Sequence, residues 1–202
     1  MLPQVASPTA PQTLRVGNVT ASTLPLPGPL LLEVRRFADA RGAFAETYSR
    51  RDFSALGIGE DFVQDNWSRS EQVGTVRGLH FQRPPHAQAK LVRVLRGRIF
   101  DVAVDLRRSS PRLGRHVGVE LVAGDGRMLY VPAGFAHGFC TLEPMTEVAY
   151  KVTADYAPES DGGIAWDDPD LGIDWPVPRS GAVLSDKDGR LPRFAELPLV
   201  FP

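Results

Sequence analysis

The chain has 202 residues, the length of one domain, and its hydrophobic content of 43% can form a sizeable core. The formal net charge of −1 gives no global basic field, so we expect no nucleic-acid partner and no membrane partner. The single cysteine excludes an internal disulfide, and the N-terminus lacks the layout of a signal peptide, which together favour a cytoplasmic location.

The N-terminal residues 1–25 are rich in Pro, Thr, Ala and Ser and show no sustained hydrophobic period. We predict a flexible N-terminal extension there, and one domain over residues 26–202, because no repeat or second composition block follows. Ordered structure is expected to begin near Leu30 with a strand. The one helix candidate is residues 51–56, which Gly57 would end as a C-cap.

From Phe62 onward the chain consists of short apolar runs separated by Gly, Pro and Asp. Two runs flank Gly97 and are interpreted as a hairpin. The runs that predict strands in this region cover residues 91–95, 99–106, 117–122, 128–131 and 148–153. Strands at this spacing without helical periods predict an all-β fold, a jelly-roll barrel with short peripheral helices in its C-terminal part.

One motif supports this fold class. The stretch GRMLYVPAGFAH places Gly126, Pro132, Gly134 and His137 at the spacing of the second signature of the cupin jelly rolls. The resemblance implies a cupin-type barrel in which the proline and glycine turn the chain at one end and His137 projects inward.

A metal site, which many cupins carry, is not expected. The first cupin signature usually supplies two histidines and a glutamate, and counting back from Gly97 puts Lys90 at the glutamate position, His86 at one histidine position and Pro84 at the other. A protonated lysine cannot ligate a divalent ion, and His86 with His137 is too small a ligand set. We therefore predict no metal and no cofactor, which argues against a metal-dependent cupin oxygenase.

The densest chemistry lies in GTVRGLHFQ, residues 74–82, followed by QAKLVR. On a regular strand, alternation turns Arg77 away from Gly78. Lys90 follows His80 by ten residues. A turn at the proline pair 84–85 can return the chain so that both side chains enter one barrel.

These motifs carry a specific resemblance. GTVRGLHFQ, QAKLVRVLRG, DVAVDLR, PAGFAHGF, the Tyr150-Lys151 pair and DDPDLGIDWP are similar to dTDP-4-dehydrorhamnose 3,5-epimerases, in that family's order and spacing. Residues 39–46 and 62–66 continue the similarity, which covers roughly residues 30–190. It implies a cofactor-independent isomerase that moves protons beside the ketone of a dTDP-linked 4-keto-6-deoxyhexose.

The resemblance also implies the catalytic groups. His80 matches the base, a role that suits histidine because its unperturbed pKa lies near working pH. Asp188 matches the carboxylate that orients the imidazole, with Asp186 as a local alternative. Lys90 matches the cation that stabilises the enolate oxygen. Tyr150 matches the acid that returns the proton, because a phenol is protonated at neutral pH.

The substrate-binding set follows from the same resemblance. Arginine suits pyrophosphate, whereas carboxylate and amide groups can bind the edge of thymine. The residues expected to bind substrate are Arg41, Glu46, Gln64, Asp65, Asn66, Arg77, His137, Asp161, Trp166 and Lys187, with Tyr156 as an alternative to Tyr150 near the sugar. Two positions depart from the family pattern: Trp67 stands where histidine is frequent, and Asp161 where glutamate is common.

The leading hypothesis is inversion of C3 and C5 of dTDP-4-dehydro-6-deoxy-D-glucose, which gives dTDP-4-dehydro-L-rhamnose. An epimerase that inverts a single carbon, for an antibiotic deoxysugar, shares the same catalytic groups and stays open, as does a non-catalytic sugar-nucleotide sensor. Because unpaired edge strands near the N-terminus of a jelly roll need a cover, we expect a homodimer in which Arg41 and Glu46 reach the neighbour's site.

Overall fold

The computed structural model describes residues 11–198 and 201–202, and this part of the chain is almost entirely β. Its one α-helix, α1, spans Arg50–Ala55, and four 3₁₀ turns lie in the C-terminal part. The strands are β1 (Thr13–Val16), β2 (Val19–Thr23), β3 (Leu30–Val34), β4 (Phe37–Asp39), β5 (Gly42–Phe44), β6 (Gln64–Ser70), β7 (Val76–Gln82), β8 (Lys90–Arg96), β9 (Arg98–Asp105), β10 (His116–Val122), β11 (Arg127–Val131), β12 (Phe135–Thr141), β13 (Thr146–Val152) and β14 (Asp161–Gly163). The all-β prediction is confirmed, as are the strands predicted at 30–34, 117–122, 128–131 and 148–153.

The strands form two large antiparallel sheets of the jelly-roll type. The seven-stranded sheet has the order β1-β2-β3-β11-β8-β13-β6, and the five-stranded sheet has the order β10-β9-β12-β7-β14. Within the described residues the two sheets do not join into one closed sheet, and β4 and β5 form a separate two-stranded arm.

Three apolar layers hold the sheets. Between them, Val92 and Leu129 from the seven-stranded sheet meet Ile99 and Phe135 from the five-stranded sheet, all buried. The outer face of the seven-stranded sheet packs against α1, and the outer face of the five-stranded sheet is covered by the C-terminal segment, with Ile164 in that layer. Full burial of each such side chain contributes about 1.5–3 kcal/mol, so both covering segments are held firmly.

The N-terminal prediction is wrong for part of its range. Strands β1 and β2 form a hairpin that continues the seven-stranded sheet through β2 and β3. In β2, Val19 and Ala21 alternate with polar residues and enter the core, a period-two signal that the surrounding Pro, Ser and Thr obscured. Residues 1–10 lie outside the described residues, and the single-domain assignment stays a prediction.

The hairpin predicted around Gly97 is also wrong. Strand β8 pairs with β11 and β13, whereas β9 pairs with β10 and β12 in the other sheet. Gly97 has a φ of +77°, and a Cβ there would lie 2.4 Å from the Thr146 hydroxyl oxygen, so glycine permits the chain to cross between sheets. A pattern of two apolar runs around a turn does not specify which sheet receives the second run.

The helix starts one residue before the predicted range and is followed by Leu56 as its C-cap, with Gly57 at a φ of +91° directly after it. No helix in the described ranges has the length and apolar character required to cross a membrane.

Candidate active site

A cavity of about 360 Å³ opens between the two sheets. One wall comes from β7 and β12 of the five-stranded sheet, and the other from β6, β8 and β13 of the seven-stranded sheet. Residues 183–185, 187 and 188 of the C-terminal segment border it. A second cavity of about 180 Å³ adjoins the first and shares His80, Lys90, Tyr150 and Lys187 with it.

Strand β7 supplies two side chains to this cavity through an irregularity. Arg77 and His80 both line it, although regular alternation would place them on opposite faces. The pairing of β7 with β12 shifts register between these two residues, so the alternation expected from sequence fails here. Gly78 makes the shift possible, because its φ is +135° and a Cβ on it would lie 2.5 Å from the Cα of Gly138.

The His80 imidazole forms a close pair with a buried carboxylate. Its Nε2 lies 2.6 Å from Oδ1 of Asp188, and the side chains are 31% and 5% exposed. Burial alone would raise the pKa of the Asp188 carboxyl, but hydrogen bonds with His80 and Ser185 hold it below its ordinary value. The structure thus brings Asp188 to the imidazole, whereas Asp186 is exposed and uses its backbone carbonyl to accept a hydrogen bond from Arg190. With Nε2 held, Nδ1 is the nitrogen available to a substrate.

Lys90 lies almost wholly buried in the cavity wall, with 8% exposure. Its Nζ donates to the backbone carbonyl of His80 at 3.3 Å. Burial lowers the pKa of this ammonium to about 8, while the negative charges of Asp101 and Asp161 act in the opposite direction. The group is therefore a mostly protonated cation at neutral pH, placed beside the imidazole.

Tyr150 faces the cavity from β13, in the sheet opposite His80. Burial raises the pKa of its phenol, and the charge of Arg77 acts in the other direction, so the hydroxyl is protonated at neutral pH. The alternative, Tyr156, is 58% exposed and lines only the adjoining cavity, not the first one. A base on one wall and a protonated phenol on the other can address the two faces of one carbon atom.

The comparisons with known proteins agree with this geometry. The family model described as dTDP-4-dehydrorhamnose 3,5-epimerase matches residues 23–196. The chain belongs to this family. The dTDP-4-dehydrorhamnose 3,5-epimerase of Sinorhizobium fredii is 52% identical over 171 residues, which cover 85% of this chain and 87% of the relative.

Two solved structures show the same fold. The dTDP-6-deoxy-D-glucose-3,5-epimerase of Legionella pneumophila, in complex with dTDP-4-keto-L-rhamnose, is 41% identical with a TM-score of 0.86, covering 91% of this chain and 97% of that one. A 3′-monoepimerase from Streptomyces bikiniensis, in complex with dTDP-quinovose, is 33% identical with a TM-score of 0.77, covering 83% and 84%.

The remaining predicted residues of this epimerase-family chain divide by strand alternation. On β6, Gln64 and Asn66 turn inward, line the adjoining cavity and hydrogen-bond each other at 2.8 Å. Asp65 lies between them on the outer face, where it pairs with Lys151 at 2.7 Å. Trp67 also points outward and is 60% exposed. The structure therefore removes Asp65 from the cavity wall, because side chains of consecutive strand residues alternate.

Two predictions in the C-terminal part have different outcomes. Asp161 and Lys187 form an ion pair at the adjoining cavity, which raises the pKa of the lysine. Trp166 instead packs in the interior against Trp175, with ring centroids 6.0 Å apart, and its carbonyl accepts a hydrogen bond from the Trp175 indole at 2.7 Å. Trp166 does not line the cavity because its ring fills a gap under the C-terminal segment.

Arg41 and Glu46 are also separate from the cavity. Arg41 is at the tip of the β4–β5 arm, its side chain is 90% exposed, and its guanidinium pairs with Asp39. Glu46 is exposed just after β5, and the arm carries the exposed rings of Phe37 and Phe44. Neither residue lines the two cavities, so their part in nucleotide binding stays a prediction.

Sequence reasoning placed His137 at the cavity, which the structure does, but it missed the partner. Nε2 of His137 lies 2.7 Å from Oδ1 of Asp101, which is fully buried. Burial lowers the pKa of this imidazole, against the charge of Asp101. The signal was an aspartate inside the apolar strand DVAVDL, a position where an unpaired carboxylate is costly. His86, the other histidine of the cupin count, instead bonds Ser160 at 2.9 Å and does not line the cavity.

Proposed function

We propose that this chain inverts C3 and C5 of dTDP-4-dehydro-6-deoxy-D-glucose and releases dTDP-4-dehydro-L-rhamnose, without a metal or another cofactor. The observation that carries the proposal is the arrangement around one cavity: the His80–Asp188 pair on one wall, with Lys90 and Tyr150 on the other. Both inverted carbons flank the C4 ketone, so one set of groups can act on each in turn.

Each inversion needs three events. His80 takes the proton from the carbon beside the ketone and becomes an imidazolium, which Asp188 stabilises. The electron pair moves to the ketone oxygen, and the Lys90 ammonium balances the enolate charge that develops there. Tyr150 then delivers a proton to the opposite face of the same carbon, and the phenolate recovers its proton from solvent, while the imidazolium releases the first one.

The nucleotide half of the substrate would lie along the outer part of the cavities. Arg77, whose guanidinium is held by the Ser70 hydroxyl at 3.1 Å, presents a charge that suits the pyrophosphate. Gln64 and Asn66 offer amide groups to a base or sugar edge, and Lys187 adds a second cation. One chain would thus offer cations to the pyrophosphate and amide groups to the neighbouring base or sugar.

Incubation with dTDP-4-dehydro-6-deoxy-D-glucose in deuterated water tests the proposal. Proton NMR should show deuterium from solvent at both C3 and C5 of the product, because each proton leaves to a base and another returns from a solvent-equilibrated acid. Label at one carbon alone would instead make the chain a monoepimerase, as the similarity to the Streptomyces bikiniensis protein keeps open. Tight binding with no label at either carbon would make it a sensor.

We also propose a homodimer located in the cytoplasm. The exposed arm with Arg41, Glu46, Phe37 and Phe44 offers apolar and charged groups that its own chain does not use for the cavity. Reaching a neighbour would bring the guanidinium and the carboxylate to the nucleotide of that neighbour's site. Light scattering should give twice the chain mass of 22.1 kDa. Replacing Phe44 with serine should weaken the dimer and raise KM, and a monomer that is fully active would contradict the proposal.

A further inference from the structure

The buried Asp101 carboxylate is only partly compensated by hydrogen bonds. It is 0% exposed, and only Oδ1 is bonded, to the His137 ring. Among the described residues, Oδ2 has no hydrogen-bond partner and no exposure to solvent. A carboxylate in such a setting is destabilised unless a cation or a donor compensates it. His137 supplies one hydrogen bond, and the second oxygen remains open.

Lys90 is a buried cation whose charged form Asp101 favours. Asp101 projects from β9 of one sheet and Lys90 from β8 of the other, and His137, the partner of Asp101, lines the same cavity as Lys90. Among the described residues the Lys90 ammonium donates to the backbone carbonyl of His80 and forms no ion pair within 4.0 Å, so the charges of Asp101 and Asp161 act on it at longer range. The titratable or charged groups that act on it or line its two cavities are Asp101 on β9, Asp161 on β14, Arg77 and His80 on β7, His137 on β12, Tyr150 on β13, Tyr156, and Lys187 and Asp188 in the C-terminal segment.

Two carboxylates favour the charged form of Lys90, and Asp101 has a larger influence than Asp161. Asp161 is already paired with Lys187, so its charge is largely neutralised locally. Asp101 has only the imidazole as a partner, and burial leaves little solvent to screen its charge. A fully buried carboxylate acts on a neighbouring ammonium more strongly than an exposed one at the same separation.

We propose that Asp101 is a positioning residue for the reaction: oriented by His137, it keeps the buried Lys90 ammonium charged and fixed where the enolate oxygen forms. The inference rests on the proposed function for the role of Lys90. The electrostatic coupling of Asp101 to Lys90, however, does not require substrate. The coupling can therefore be measured separately from catalysis.

The direction of the effect follows from the two opposing influences. Burial favours the neutral amine and Asp101 favours the ammonium, and with both acting the pKa of Lys90 is about 8. Replacing Asp101 with asparagine retains the shape and an acceptor for His137 but removes the charge. The pKa of Lys90 should then fall, by about one unit for a charge beyond contact distance. The ammonium would be lost at a lower pH, and activity would decline from that lower pH upward.

Carbon-13 NMR of protein labelled at the lysine Cε tests this directly, because the chain has three lysines, Lys90, Lys151 and Lys187. Substituting Lys151 and Lys187 by arginine, one at a time, assigns the signals. In the wild-type chain the Lys90 signal should titrate near pH 8, and in Asp101→Asn its midpoint should move down by about one pH unit. A folded Asp101→Asn protein whose Lys90 midpoint is unchanged or higher would overturn the inference.

The matched control is Asp65→Asn, which removes the carboxylate of an aspartate–lysine pair on the outer face of the sheet. It should leave the Lys90 signal in place. If Asp101→Asn does not fold, Asp101→Ser serves instead, because it also removes the charge and keeps a hydroxyl for His137. The Lys90 midpoint should then also move down, and no movement would overturn the inference. Since none of these titrations uses the sugar nucleotide, failure of the proposed reaction would leave them unaffected.

Discussion

The His80→Ala protein is expected to lose solvent exchange at both C3 and C5, with kcat lower by about two to four orders of magnitude. The reason is that the His80 imidazole combines an orienting carboxylate, Asp188 at 2.6 Å, with 31% exposure to the cavity, whereas the other carboxylate-paired imidazole, His137, is only 7% exposed. The Lys90 ammonium accepts no proton, and the Tyr150 phenol is protonated because burial raises its pKa. Deuterium incorporation into substrate and product, followed by NMR, measures the loss.

Two comparison variants give this result its meaning. Tyr150→Phe should still release protons to solvent but should invert poorly, since it keeps the base and loses the acid on the other wall. His116→Ala, at the start of the edge strand β10 and outside both cavities, should behave as the parent chain. Binding of dTDP should be nearly unchanged in all three. Exchange at the parental rate in His80→Ala would remove His80 from the role of base.

The sequence predicted the chemistry of the site better than its geometry. The alternation of β6 was available from sequence, because Gln64 and Asn66 must face one way and Asp65 the other. The resemblance to the family nevertheless grouped all three as substrate-binding. Roles transferred residue by residue from the family thus included Asp65 and Trp166, which line neither cavity.

Other features had no local signal. His80 and Asp188 are 108 residues apart, and no periodicity indicates that a C-terminal 3₁₀ turn places the carboxylate beside β7. The register shift at Gly78 depends on the close approach of Gly138 on another strand, so it appears only when β7 and β12 are paired. The change of sheet at Gly97 likewise depends on which neighbours β8 already has. These three features depend on contacts between segments that are distant in sequence.

The second large effect is expected for Lys90→Met, which retains the length of the buried side chain and removes its charge. We expect kcat to fall by about two to three orders of magnitude, the loss typical for one group that stabilises a developing oxyanion. KM should change little, because the ketone oxygen of the substrate carries far less charge than the enolate that follows. Steady-state kinetics with the keto sugar, and dTDP affinity measured by calorimetry, separate the two quantities.

Lys151→Met is the control for this change. Lys151 belongs to the same sheet as Lys90, but its side chain lies on the outer face, where its charge pairs with the exposed Asp65. It should retain the parental kcat, so that a loss in Lys90→Met reports the position of the charge and not the number of lysines. A rise in KM with kcat preserved would mean that Lys90 binds ground state and transition state equally. The enolate would then need another cation, and the other lysine and arginine side chains that line the cavity are Lys187 and Arg77. The Lys90 ammonium donates to the backbone carbonyl of His80, the proposed base, so its charge lies beside the reacting carbon, and its removal should lower kcat before it changes KM.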